Sequence, residues 1–464
     1  MISVIKTIKD TNVRLKMRIF SVVLLLLVSS VTPTVMAAEY SLAQAIKKAQ
    51  ENDPWLEGSR FRQKSLEALS VQAGSLPDPT VSLGLGNINI NNADAMGKGV
   101  NNYNVGISQM FSRGNSLSLQ REQLNTLSQM QPLVREDRNA NTAVTVSHLW
   151  LEILRSQQTI RLIEQDRSLF EHLVDIVQSS YATASGRTRQ QDLVRAQLEL
   201  TRLEDRLTML RQNQENQLAL LAEWLGDYSD LSIDTAESLP LSLGSLSIGS
   251  FAKNDGKENR DLIEALIAHP KVTSIDRKIK AGESGVRLAK QSYKPQWGLN
   301  ANYMASTKDD DQPDVMSVGI SFDLPLFTGK KQDKQVQAAI ADNEEVKTER
   351  ALALRQLRAG FEAAKSNYLR LIERKELFDT RLLKEMSEQA EASLTAYTND
   401  DGDFAEVVRA RITELNAKIE SLNIDVEIQK AIAQINYFLV AKTNPLDSTE
   451  LPNSKHTING VSHE

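Results

Sequence analysis

The chain sets out one pattern twice, in the same order, with about 214 residues between the copies. Each copy runs helix, paired strands, helix. The first opens with Ser41-Leu42-Ala43-Gln44-Ala45-Ile46 and reaches Asn52-Asp53-Pro54, and the second opens with Asp261-Leu262-Ile263-Glu264-Ala265-Leu266 and reaches Ala268-His269-Pro270. Both read as short helices stopped before a proline. A Gly-Ile-Ser triplet then recurs late in a strand, at Gly106-Ile107-Ser108 and Gly319-Ile320-Ser321, and Val194-Arg195-Ala196 is matched by Val408-Arg409-Ala410 in the returning helix. A duplicated chain of this kind builds one object from two similar halves.

The strands carry a strict alternation. Val81, Leu83 and Leu85 share one face against Ser82, Gly84 and Gly86, and their partner sets Tyr103, Val105, Ile107 and Phe111 opposite Asn104, Gly106 and Ser108. In the second copy Trp297, Leu299, Ala301 and Tyr303 share a face, and Met316, Val318, Ile320, Phe322 and Leu324 alternate with Ser317, Gly319, Ser321 and Asp323. The pattern slips at Asn87, which predicts a bulge or a strand end. Each strand spans about 9 to 11 residues, the length a tilted strand needs to cross a bilayer, and a soluble sandwich with one wet face fits the alternation equally well. Four strands cannot close a barrel, and lipid tolerates no open edge, so strands in a membrane would require oligomerisation. Two copies give eight strands and a filled bore, whereas three give twelve and a bore wide enough for water; a duct favours three.

Between the strand pairs lie helical stretches too long for a globule. From Arg113 to about Ser180 the one strong breaker is Pro132, expected to bend the helix, and from about Gly329 to Tyr397 the one glycine is Gly360. At 1.5 Å per residue each is roughly 100 Å long. The returning helices keep a four-three apolar spacing, at Leu193, Ala196, Leu200, Leu203, Leu207 and Leu210 and at Val408, Ile412, Leu415, Ile419, Leu422 and Val426. That is a coiled-coil stripe, and its two occurrences predict two antiparallel hairpins. Aromatic residues make up only 5% of the chain, as suits long helices better than a large compact core.

The expected organisation is a signal peptide over 1–37; a first repeat over 38–228 with strands near 79–90 and 101–111 and a hairpin over 113–227; a linker over 229–258; a second repeat over 259–440 with strands near 295–305 and 314–324 and a hairpin over 329–440; and a polar tail over 441–464. Lys16 and Arg18 precede the apolar run Ile19 to Val31, too short to span a membrane, and Val35-Met36-Ala37 has the small residues signal peptidase requires. Met17 is an alternative start, and the mature chain is expected to begin at Ala38 or Glu39. Cleavage removes five basic residues and one acidic, moving the formal charge from −6 to about −10 and arguing against nucleic acid as partner. The chain has no cysteine, which excludes disulfides, thiolate metal sites and a lipidated cysteine after the signal.

The hairpin turns are the candidate functional positions. In the first, Gly186 ends one helix and Thr188 with Gln191 reads as a capping box; in the second, Gly402 and Asp403 with Glu406 do the same work. Capping needs only one of Asp400, Asp401 and Asp403. Around an oligomer axis the three would form an acidic ring attractive to cations, and a solvated turn is an equally good reading.

In these segments the chain resembles the TolC family of outer-membrane efflux ducts, over nearly the whole stretch from Ser41 to Val440. The resemblance rests on the duplicated openings before Pro54 and Pro270, on Leu76-Pro77-Asp78-Pro79 ahead of the first strand, on Pro325-Leu326-Phe327-Thr328-Gly329 after the last, and on the turn near Gly186, in this order and in two copies. It implies a mainly α fold with two structural repeats, long antiparallel hairpins and four strands per protomer, assembled as a homotrimer with a twelve-stranded barrel in the outer membrane and a helical barrel crossing the periplasm. It also implies a periplasmic adaptor and an inner-membrane pump as partners, and places Gly186, Arg187, Asp192, Tyr397, Gly402 and Asp403 among tip and gating residues. The second tip departs from the family pattern in being one residue longer and in carrying Asp403 where many relatives have threonine and arginine. The segment from Leu76 to Asn87, with Ile107 to Asn115, is most similar to the heavy-metal branch, whose RND-type pumps expel copper and silver or cobalt, zinc and cadmium. Drug-efflux and type I secretion ducts share the architecture.

No enzyme signature supports a catalytic reading: Gly-x-Ser-x-Gly, P-loop and His-Glu-x-x-His motifs are absent from the sequence, the five histidines are scattered, and no cofactor or resident metal is expected. Porins close a barrel within one chain and need no helices of ~100 Å. A periplasmic coiled-coil scaffold without a pore is the remaining alternative.

Overall fold

A computed structural model describes residues 39–86, 102–182, 190–226, 232–233, 256–306, 313–399 and 402–440. The sequence-predicted signal peptide, the strand ends beyond Gly86, the turn at Gly186 and Arg187, the pair Asp400 and Asp401, and the tail lie outside the described residues. Strand β1 (Glu39–Tyr40) leads into helix α1 (Leu42–Asn52) and helix α2 (Pro54–Ala73), followed by β2 (Thr80–Gly86), β3 (Asn102–Phe111), the long α3 (Ser116–Ala182) and the returning α4 (Gln190–Leu225). After the short β4 (Ser232–Ile233), which pairs in parallel with β1, come α5 (Gly256–Ile267), α6 (Pro270–Lys290), β5 (Gln296–Ser306), β6 (Val315–Asp323), α7 (Gln332–Leu377), α8 (Leu383–Thr398) and α9 (Phe404–Phe438). The succession of two short helices, two strands and two helical arms thus runs twice.

The two short helices stop before the prolines, at Asn52 and Ile267, as the sequence predicts, and each proline also opens a further helix. Pro54 and Pro270 each occupy the first turn of a further helix of 20 or 21 residues, where a missing N–H loses nothing and the fixed φ suits the helix. The residue ahead of each is the cap. Asp53 accepts a hydrogen bond from the Trp55 N–H at 3.0 Å, and His269 Nδ1 accepts from the Lys271 N–H at 3.2 Å.

Both joints are fastened to adjacent residues of α3. Arg138 donates from Nε to Asp53 at 2.8 Å, its guanidinium lying 5.7 Å from the Trp55 ring and 5.2 Å from the Trp224 ring. On the other side Tyr437 of α9 donates its hydroxyl to Asp137 at 3.0 Å, while its carbonyl lies 3.1 Å from His269 Nε2. Because Nδ1 must accept, the proton sits on Nε2 and is donated to that carbonyl.

α3 is 67 residues long, roughly 100 Å, and Pro132 lies inside it without ending it. The second outgoing arm is interrupted by a π-turn at Phe378–Leu382, a feature with no counterpart in the sequence reading. Lys375, just ahead of the turn, pairs with Asp379 within it at 3.1 Å and with Asp425 of α9 at 2.8 Å. α9 is buried on most of its circumference: beyond the expected stripe from Val408 to Val426, Val407, Ala410, Ile424, Ile428, Ile432 and Ile435 are also covered. It packs against α3, α7 and α8, and a helix covered on so much of its surface belongs at the centre of its neighbours.

His269 is wholly buried and burial holds its pKa below the usual histidine value, with Lys271 acting in the same direction against the Asp137 carboxylate and the Tyr437 carbonyl. The unfolded chain takes up a proton as pH falls below about 6.5, which the folded joint resists, so this site's stability is present above that pH and is lost below it. The melting temperature is therefore expected to fall between pH 7.5 and 5.5, and to fall less in His269→Asn, which keeps a capping side chain without titrating. Parallel losses in the two proteins would remove His269 as the cause.

Candidate functional site: a one-sided sheet and a helical tip

The four longer strands form one antiparallel sheet in the order β2-β3-β5-β6. Val81, Ile107, Ala301 and Val318 stand in one row across it; Leu83, Val105, Tyr303 and Met316 stand in the next, and Phe111, Trp297 and Phe322 close the helix-side end. This whole apolar face is uncovered in the single chain, with Leu83 80% and Val318 70% exposed. Such a continuous apolar sheet face on an isolated chain marks a surface that meets lipid or another protein. The opposite face carries Ser82, Gly106, Asn302 and Ser317 in one row and Thr80, Ser108, Asn300 and Gly319 in another. Among the described residues, β2 and β6 each leave one edge without a strand partner.

The sheet is clasped to the helices at one end. Arg113, just past β3, reaches across β5 to pair with Asp323 at the end of β6 and donates to the Lys294 carbonyl at 2.8 Å. Gly114 beside it has φ +46°, and a Cβ there would lie 2.4 Å from the Gln291 and Lys294 side chains, so only glycine fits the corner. Gln109 donates to the Pro77 carbonyl at 2.8 Å, joining the Leu76-Pro79 segment to the late part of β3.

At the other end the two hairpins meet in one cluster: Phe170, Leu173 and Val177 of α3, Ala196 and Leu203 of α4, and Phe404, Val407 and Val408 of α9. Tyr397 packs against it with its ring centroid 5.6 Å from that of Phe404, and Asp192 is buried in the first turn of α4. Of the sequence-predicted tip residues, the structure thus places Asp192, Tyr397, Gly402 and Asp403 at this end, while Gly186, Arg187, Asp400 and Asp401 fall outside the described residues. Asp403 is the N-cap of α9, accepting from the Ala405 N–H at 3.2 Å. The reciprocal half of the expected capping box does not form, because the Glu406 carboxylate is drawn to Arg409 at 3.1 Å on its own helix.

One polar group went unnoticed in the sequence. Arg411 of α9, 8% exposed, donates to Glu391 at 2.6 Å and to Glu414 at 2.9 Å. Burial lowers its pKa, and the two carboxylates more than reverse that, leaving it raised; burial raises Glu414, and Arg411 and Lys418 together leave it lowered. An arginine within an apolar stripe gives no sign in sequence of being buried. Among the described residues, no group of three histidine or acidic side chains could hold a metal ion, and no helix is long and apolar enough to cross a membrane.

No protein-family profile and no curated protein matches the chain by sequence. Solved structures do match. A transmembrane channel, CusC, superimposes with TM-score 0.73 at 12% identity over 87% of this chain and 92% of its own. This is the fold of an outer-membrane channel protomer. The outer-membrane channel OprN gives TM-score 0.71 at 17% identity over 86% of this chain and 89% of its own, and the outer-membrane protein VceC from Vibrio cholerae gives 0.68 at 16% over 86% and 95%. At these identities the likeness is one of fold.

Gly402 approaches the end of α8 so closely that a Cβ would lie 2.7 Å from the Tyr397 backbone nitrogen. Gly402→Ala is expected to open the turn, and Asp403→Ala to lose about 1 kcal/mol of capping. Hydrogen exchange should quicken at 394–407 in both variants and stay unchanged near Ile424; wild-type exchange at 394–407 in Gly402→Ala would show that the close approach does not hold the turn.

Proposed function

We propose that the chain is the outer-membrane duct of a tripartite efflux system, acting as a homotrimer with a periplasmic adaptor and an inner-membrane RND pump. The observation that carries the reading is the four-stranded sheet, apolar and uncovered on one face, polar and small on the other, with both edges unpaired among the described residues. Lipid requires such edges to be paired, and three copies bring twelve strands together around a bore wide enough for water. The pore-free scaffold reading gives that apolar face nothing to do. Helices of roughly 100 Å suit a passage spanning the periplasm, and the likeness to outer-membrane channels supports the same reading. Export through the signal peptide over 1–37 belongs to it.

The cargo proposed is heavy-metal cations. Support comes from the sequence resemblance of the Leu76-Asn87 and Ile107-Asn115 segments to the heavy-metal branch; Gln109 and Pro77, which lie within them, are hydrogen-bonded to each other. A duct does not need a tight metal site, since strong binding slows exit. The tip cluster with Asp192, Tyr397, Gly402 and Asp403, together with Gly186, Arg187, Asp400 and Asp401, is the proposed gate and adaptor contact.

Growth of a strain lacking this protein, beside its complemented parent, is expected to show selective sensitivity within copper, silver, zinc, cobalt and cadmium. Sensitivity only to dyes and antibiotics would move the cargo to drugs. In planar bilayers, neutralising Asp400, Asp401 and Asp403 together is expected to leave trimers intact and lower cation selectivity; unchanged selectivity would leave the turn a capping element alone.

A further inference from the structure

The polar face of the sheet has a construction that its composition does not reveal. Of all the side chains on the four longer strands, only Asp323 is charged, and it is paired with Arg113. The remainder of the face is glycine, serine, threonine, methionine and asparagine, with Gln296 and Val315 at its ends, and register sets its asparagines beside glycines of the neighbouring strand: Asn302 beside Gly106, and Asn300 beside Gly319. A Cβ on Gly106 would lie 2.2 Å from Asn302 Oδ1, and one on Gly319 would lie 2.6 Å from Asn300 Oδ1. Each carboxamide therefore fills the space where its neighbour has no side chain, lying along the sheet. Gly106 is buried in consequence, although its face of the sheet is open.

We infer that these asparagine–glycine pairs set the clear width of the bore by laying an uncharged amide lining flat against the wall. The inference rests on the duct reading, in which the polar face lines the lumen. An interior β-strand glycine loses packing and entropy, so its presence in a strand signals that something must lie close over it; here that is the neighbouring carboxamide. A wall of neutral amides and hydroxyls offers hydrogen bonds to water without a charge that would hold an ion of either sign. The barrel section is thus a wide, neutral passage for hydrated solutes, and discrimination by charge falls to the helical end.

The test uses the full-length trimer in planar bilayers, with polyethylene glycols of graded size added from the barrel side alone, so that the largest polymer entering reports the barrel and not the tip. In Gly106→Ala/Gly319→Ala the displaced carboxamides project inward, and the size cut-off is expected to fall below wild type. In Asn300→Ala/Asn302→Ala the cut-off is expected to stay at the wild-type value, because those side chains already lie flat. An unchanged cut-off in the glycine variant, given intact trimers, or a wider one in the asparagine variant overturns the inference. Absence of any channel from the wild-type protein instead overturns the duct reading itself. Asn302→Asp provides the charge control: it should shift the reversal potential toward cation selectivity, and a potential that does not move would show that this face is not the lumen wall.

Discussion

An open sheet with an apolar outer face governs much of this molecule. Among the described residues, β2 and β6 each leave a row of backbone N–H and C=O groups without a strand partner, and each such group left unpaired in lipid would raise the free energy by several kcal/mol. In the proposed duct, burying the apolar face in lipid is favourable only if those edges are paired first, which would make association and membrane insertion one problem. The clasp of Arg113 with Asp323 across β5, and the left-handed corner at Gly114, hold the four strands in fixed relation to the helices while that happens. A strand pair on its own would be marginal; four strands anchored on helices present a prepared edge.

Below the sheet the stabilising logic changes from cross-strand pairs to helix seams. α9 is surrounded by the other arms, and its ends at Phe404 and Phe438 both lie in apolar clusters, one at the tip and one at the joint near His269. The π-turn in the second outgoing arm is held to α9 by Lys375 through Asp425, so a local change in helical winding is fixed by a long-range ion pair. Arg411 and its two carboxylates form a second polar anchor among apolar neighbours. A buried charge held by two carboxylates in this way adds little net stability, because desolvation offsets much of the attraction.

The parts legible in sequence were those with a strict period. Alternation from Val81 to Leu85 and from Met316 to Phe322 marked the strands and the face that the structure leaves uncovered, and the four-three spacing from Leu193 to Leu210 marked the seam of α4. Other features were hidden for physical reasons. Pro54 and Pro270 marked where one helix ends, but that each also begins the next depends on the cap ahead of it; Asp53 is a common cap, whereas the His269 ring that caps the second is held by the Tyr437 carbonyl. The π-turn leaves no residue signature, since Phe378 to Leu382 would suit an ordinary helix. At the tip, Asp403 was readable as a cap, but the pull of Arg409 on Glu406 could not be weighed without geometry. Burial of Arg411 and the seating of Asn302 over Gly106 depend on register between distant segments, which one sequence does not express.

Asp137 and Arg138 are neighbours on α3, so their side chains leave the helix about 100° apart, and each holds a different joint. Arg138 grips the first through Asp53, and Asp137 grips the second through Tyr437. α3 therefore acts as a shaft with two arms at the same height. Rotation of α3 about its axis displaces both grips together. The duplicated halves are in this way geared together, and a twist applied at the far end of the long helix reaches both at once.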